Sequence, residues 1–172
     1  FITELVSYAK EKCSDTEFCA MDATRADKAF LYEMIDTAIA AGAGIITISD
    51  DAAEQMPDEF AAFIAEIAAH TGGNAEISVM CSDKNGLASA SSVMAVKQGA
   101  ESVKTAVSGD ITALEGFAAM IKNCGDTCGF SSDIKNTELN RIVKQIVRIT
   151  GGKTDTAAPV AAEQGGITLD GS

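Results

Sequence analysis

Four short apolar or β-branched runs, at residues 16–20, 44–49, 76–81 and 102–107, alternate with longer stretches of helical periodicity. Their starts lie roughly 30 residues apart, the size of one strand–helix unit. This alternation constrains the fold more than any other feature of the chain. Strands separated by helices cannot pair as hairpins, so they are expected to form a parallel sheet with right-handed crossovers. The spacing alone leaves open an open doubly wound sheet or part of a barrel. No Gly-x-Gly-x-x-Gly follows the first strand, which weighs against dinucleotide binding.

The helical stretches carry start and stop signals. Asp27 opens a helix to residue 41, with Phe30, Leu31, Met34, Ile35, Ala38 and Ile39 on one stripe and Gly42 ending it. Pro57 starts the next, which turns Phe60, Phe63, Ile64 and Ile67 inward until Gly72-Gly73. Residues 85–98 and 111–122 supply two more. Residues 1–12 form a leading amphipathic helix (Ile2, Leu5, Val6, Ala9) with no strand before it, which looks like the middle of a series of units. Asn136 or Thr137 caps a last helix with Leu139, Ile142, Val143, Ile146 and Val147 as its buried stripe. From Gly151 onward small and polar residues predict an extended arm. The expected division is residues 1–135, a strand–helix module, and 136–172, the last helix and arm.

At 172 residues the chain suits one domain and is shorter than the ~250 residues of a complete eight-stranded α/β barrel. A net charge of −12 argues against binding nucleic acid or anionic membranes. No run approaches ~18 apolar residues and no signal peptide opens the chain. Phe1 is not an initiator methionine, which points to a trimmed or truncated product. Five cysteines, odd in number and scattered over strands and a loop, suit reduced thiols in the cytoplasm. Cys124-Gly-Asp-Thr-Cys128 lacks the second ligand pair that structural zinc needs. His70 ends an apolar helix, where the helix dipole favours a cation.

Five segments in order carry a resemblance to the 2-isopropylmalate synthase family and its relatives, the homocitrate synthases and hydroxymethylglutaryl-CoA (HMG-CoA) lyases. Glu17-Phe18-Cys19-Ala20-Met21-Asp22-Ala23-Thr24-Arg25 resembles the family's E-F-S-x-E-D-A-x-R after its fifth barrel strand. Thr47-Ile48-Ser49-Asp50-Asp51 is similar to N-I-P-D-T after the sixth. Met80-Cys81-Ser82-Asp83-Lys84-Asn85-Gly86-Leu87-Ala88 resembles H-x-H-N-D-x-G-L-A after the seventh, and Thr105-Ala106-Val107-Ser108-Gly109 parallels T-I-N-G after the eighth. Gly166-Ile167-Thr168-Leu169-Asp170-Gly171 resembles G-I-H-x-D-G of the arm beyond the barrel. The resemblance implies a parallel (βα)4 half of a TIM barrel, equivalent to strands five to eight, with a leading helix, a C-terminal helix and the arm.

In this family a divalent metal acts as a Lewis acid on a 2-oxo acid at the C-terminal mouth of the barrel. The resemblance places Cys19, Met21, Thr47, Asp51, Met80 and Ser82 at that mouth. There the family's glutamate is Met21, its serine Cys19, its threonine Asp51, and its two metal-binding histidines Met80 and Ser82. A thioether and a hydroxyl are poor ligands for a hard divalent ion. The family's G-E-R-A-G-N loop is absent, since Asp110 and Ile111 run almost directly into a helix. In the arm, its H-E pair is Glu163-Gln164 and its later histidine Thr168. Glu17, Asp22, Arg25 and Asp50 remain, read as structural groups or ligand contacts: Asp22 and Arg25 as a clamp, Asp50 as a cap. No catalytic residue, metal or other cofactor is therefore expected. The expected role is binding, assembly or regulation, with a small-molecule ligand allowed and either self-association or an N-terminal half-barrel as partner. The alternatives are an acyl-CoA:2-oxo acid Claisen transferase active only with a missing N-terminal half, and a new thiol chemistry at Cys19 and Cys81 beside Asp51, with Lys84 as the activating cation.

Overall fold

The computed structural model describes residues 1–107 and 109–151. Strands β1 (Glu17–Ala20), β2 (Ile45–Asp50), β3 (Glu76–Cys81) and β4 (Ser102–Val103) form one sheet in the order β1-β2-β3-β4, parallel throughout. The helices are α1 (Ile2–Lys12), α2 (Lys28–Ala40), α3 (Pro57–Thr71), α4 (Ala88–Lys97), α5 (Leu114–Cys128) and α6 (Asn136–Thr150). Sequential strand order with a helix after each strand is half of a TIM barrel.

Strand alternation explains why the core lies on one side only. Partners across a parallel ladder point to the same face, so the register groups Phe18, Ile46, Ile48, Ile77 and Val79 on one side. These meet Leu31, Ile35, Phe60, Ile64 and Ile67 from α2 and α3 in a continuous core. Fully burying each such side chain contributes about 1.5–3 kcal/mol. The opposite, inner face carries Glu17, Cys19, Thr47, Ser49, Ser78 and Met80. A polar inner face cannot be covered by an apolar helix stripe, so the helices gather on the other side.

Most boundary signals act as the sequence suggests. Asp27 Oδ1 accepts the Phe30 N–H at 3.0 Å and caps α2. Pro57 begins α3, and Gly72, at φ +57°, ends it in the left-handed conformation that glycine adopts without strain. His70 stands in the last turn of α3, 2.9 Å from Asp36 Oδ1 and stacked on Tyr32.

Other expectations fail for local reasons. The helix expected from residue 85 starts at Ala88, because Gly86 takes φ +71° and Asn85 donates its amide to the Ala53 carbonyl at 2.6 Å. Asp83 Oδ1 accepts the Ala88 N–H at 3.0 Å from outside the helix. The fourth strand is two residues rather than six. Beyond it the chain doubles back: Thr112 N–H donates to the Cys81 carbonyl at 3.1 Å and Ala106 N–H to Thr112 at 3.0 Å. The expected near-direct run into a helix at residue 111 is thus a paired loop, and α5 starts at Leu114. That helix continues to Cys128, so Cys124 and Cys128 lie on a helix and not in a loop. Neither Asn136 nor Thr137 caps α6; its cap position is Lys135, and the Asn136 amide donates to Ala118 O at 3.5 Å instead. Of the expected α6 stripe only Val143 is buried, and Ile142 stays 44% exposed. The expected arm, with Glu163, Gln164 and Thr168, lies outside the described residues.

Candidate functional site at the barrel mouth

Three carboxylates, Glu17 at the start of β1 and Asp50 and Asp51 at the C-terminal end of β2, are each tied by their neighbours. Glu17, on β1, accepts from Thr47 Oγ1 at 2.5 Å and from Lys104 Nζ at 2.6 Å. Lys104 follows β4, so this pair joins the first strand to the last across the inner face. Strands lie about 4.8 Å apart, and four in a flat sheet would hold these side chains too far apart to meet. Curl and strand tilt, the geometry of a barrel wall, bring them together. Burial opposes ionisation of Glu17, but the Lys104 ammonium and Thr47 hydroxyl outweigh it and hold the carboxyl below its ordinary value.

Asp51 continues β2 on the same face. Its Oδ2 accepts the Asp22 N–H at 2.6 Å and Ser49 Oγ at 2.9 Å, while Lys84 Nζ donates to its carbonyl at 2.7 Å. Asp50 points the other way, 3% exposed, and accepts Thr24 Oγ1 at 2.9 Å and the Ala53 N–H at 3.2 Å. Asp22 (φ 54°) and Ala53 (φ 55°) are the non-glycine residues with positive φ among those described. Aspartate tolerates this region, whereas for alanine it costs roughly 1–2 kcal/mol. Its hydrogen bonds to Asp50 and Asn85 hold Ala53 there.

Asp22 and Arg25 pair directly, Arg25 Nε donating to Asp22 Oδ1 at 3.0 Å. The guanidinium lowers the Asp22 carboxyl from its ordinary value. Cys19 Sγ lies 3.6 Å from Met21 Sδ, and Met21 is 61% exposed. Burial raises the Cys19 thiol, with Glu17 and Asp51 adding to the effect and Lys104 opposing it. Met80 is half-buried on the inner face. Ser82 forms a bridge with Ile111, so the returned loop sits beside it.

The structure thus gathers Glu17, Cys19 and Thr47 lower on the inner face and Met21, Asp51, Met80 and Ser82 toward its rim. It does not bring Cys81 there. Cys81 faces the helices, 1% exposed, and burial pushes its thiol up to about 11. The cation acting on Cys19 is Lys104, whereas Lys84 is spent on the Asp51 carbonyl. These placements remove the geometry that paired Cys19–Cys81 thiol chemistry requires.

Lys104, Ser49 and Ser78 were missed from the sequence. Continuing the two-residue alternation of β4 from Ser102 places Lys104 inward, and that signal was available. Ser78 is fully buried on the inner face and its Oγ has no hydrogen-bond partner.

Fold and site together define a half-barrel α/β protein with a polar inner face. The chain matches the HMGL-like family over residues 1–147 and belongs to it. It is 33% identical over 178 residues to the 2-isopropylmalate synthase of Syntrophus aciditrophicus, covering 96% of this chain and 34% of that protein. It is 44% identical over 110 residues to that of a Synechococcus strain, covering 63% of this chain and 20% of the relative. The chain therefore spans about a third or less of these curated relatives. An HMG-CoA lyase from Acinetobacter baumannii, solved with coenzyme A and 3-methylmalate, superposes with a TM-score of 0.76 at 13% identity, covering 96% of this chain and 59% of the lyase. That likeness establishes the fold.

The divalent metal implied by the family does not fit the described residues of the mouth. Among the described residues no three His, Cys, Asp or Glu side chains form a group able to hold a metal ion. Met80 and Ser82 offer a thioether and a hydroxyl, and the carboxylate of Asp51 already accepts from Ser49 and Asp22.

Proposed function

We propose that this chain is a noncatalytic half-barrel of the HMGL-like family with a binding, assembly or regulatory role. The observation that supports it is the internal engagement of the carboxylates on and just after β1 and β2: Glu17 by Lys104 and Thr47, Asp51 by Ser49 and Asp22, Asp50 by Thr24 and Ala53. A general base needs a carboxylate that can reach substrate, and a Lewis-acid metal needs several free donors. Here the donors are occupied in holding strands and loops together. A small polar ligand against the inner face fits this role. So does association through the sheet edges, with a second copy or an N-terminal half-barrel, and the reading places the protein in the cytoplasm. No helix of the described residues is long and apolar enough to cross a membrane.

The second reading, an acyl-CoA:2-oxo acid Claisen transferase active only with an N-terminal half, draws on the relatives' names and on the retained Glu17, Asp22 and Arg25. Release of coenzyme A from acetyl-CoA with a panel of 2-oxo acids, with and without Mg²⁺, Mn²⁺ or Zn²⁺ and using the longest natural form of the protein, separates the two. The noncatalytic reading expects no metal-dependent turnover from a sample that unfolds cooperatively. Turnover that requires metal overturns it.

A further inference from the structure

A second site lies on the outer side of the sheet, away from the mouth. Helix α5 carries Met120, Cys124 and Cys128 at intervals of four residues. Side chains so spaced stand on one helical face with Cβ atoms about 5–6 Å apart. Met94 faces them from α4. All four sulphur side chains line one cavity of about 310 Å³, together with apolar groups that include Val93 and Phe130. Neither cysteine is in a disulfide. Phe130 is drawn over the end of α5 because its N–H donates to the Gly125 carbonyl at 2.9 Å. No carboxylate, imidazole or amine lines this cavity.

We propose that this cavity binds a soft monovalent cation, Cu(I), through the Cys124 and Cys128 thiolates, with the thioethers of Met94 and Met120 as further donors. Thiolate and thioether donors select soft ions, whereas hard divalent ions require oxygen ligands. Zinc is disfavoured because its structural sites take four Cys, His or carboxylate ligands, and only two are present here. Each thiol that binds forms a sulphur–copper bond and releases its proton to solvent, with no change of oxidation state. Cys124 is exposed and Cys128 half-buried, so the ion has a path to them from solvent.

The test is anaerobic competition between the full chain and a chromophoric Cu(I) chelator, bathocuproine disulfonate, with folding checked by thermal unfolding. One Cu(I) is expected to be withdrawn per chain. The C124S/C128S variant is expected to lose retention by more than about 100-fold, beyond what changes around a metal's ligands typically cost. M94L/M120L should weaken it, and C13S should leave it unchanged. In the unaltered chain Cu(I) should protect Cys124 and Cys128, but not Cys13, from alkylation. Equal retention by the chain and C124S/C128S, no protection of these two thiols, or Zn²⁺ held as tightly as Cu(I), each overturns the proposal.

Discussion

Glu17 shows how a single side chain can serve the fold with the same group that a catalyst would use for chemistry. Its carboxyl lies below the ordinary value of 4.5, because Lys104 and Thr47 outweigh the effect of burial. A carboxyl depressed in the folded state adds stability above its unfolded pKa and loses it as pH falls through the folded value. Both side chains are about a third exposed, so solvent screens the pair. Glu17→Gln is expected to cost about 0.5–1 kcal/mol at neutral pH. Urea denaturation should show the variant and the original chain converging as the pH drops below the ordinary carboxyl value. At the other extreme of burial, Cys81, with its thiol pushed to about 11, should react with iodoacetamide near pH 8 far more slowly than a free thiol. Mass spectrometry of the alkylated chain should find Cys13 and Cys124 labelled before Cys81, since both are exposed.

Among the elements, α5 depends on a glycine in its interior. Replacing a helical glycine with alanine normally stabilises by roughly 0.5–1 kcal/mol. At Gly125 the sign should reverse, because an added Cβ would sit 2.5 Å from the Phe130 carbonyl oxygen. That atom belongs to backbone and cannot swing aside, so Gly125→Ala is expected to destabilise by about 1–3 kcal/mol. Thermal unfolding of the variant measures it, and an unchanged or raised midpoint would contradict the geometry. The same turn shows why the end of α5 was misread from sequence. Gly125 and Gly129 inside Cys124-Gly-Asp-Thr-Cys128 look like loop punctuation, yet only Gly129, at φ +79°, ends the helix.

At the scale of the whole molecule, four units present two sheet edges, at β1 and β4, and a polar inner face. Leu5 (53% exposed) and Tyr8 (63%) on α1, with Ile142 (44%) and Ile149 (83%) on α6, leave apolar side chains uncovered at the two ends of the half-barrel. Unpaired edges and apolar patches favour association. Sedimentation velocity over a range of concentrations should therefore show reversible self-association. A dilute chain that stays monomeric and unfolds in one transition would count against an assembly role.

The regular part of this fold is legible from the chain because it rests on short-range physics. Asp27, Pro57 and Gly72 set helix ends through bonds and dihedral angles within a turn, and the runs in β2 and β3 declare burial by composition. Alternation of strands and helices fixes parallel pairing, and the ordered motifs from Glu17 to Gly109 identify the family. What no local pattern encodes is how residues far apart in sequence meet. The Glu17–Lys104 bond spans 87 positions and exists only because the sheet curls. Whether Cys81 stands beside Cys19 or on the opposite face depends on pleat and register, and the return of residues 110–112 depends on free backbone groups at and just beyond the end of β3. Sequence determined the units and their order; tertiary structure decided which side chains share a face, because curvature and register act between strands rather than along them.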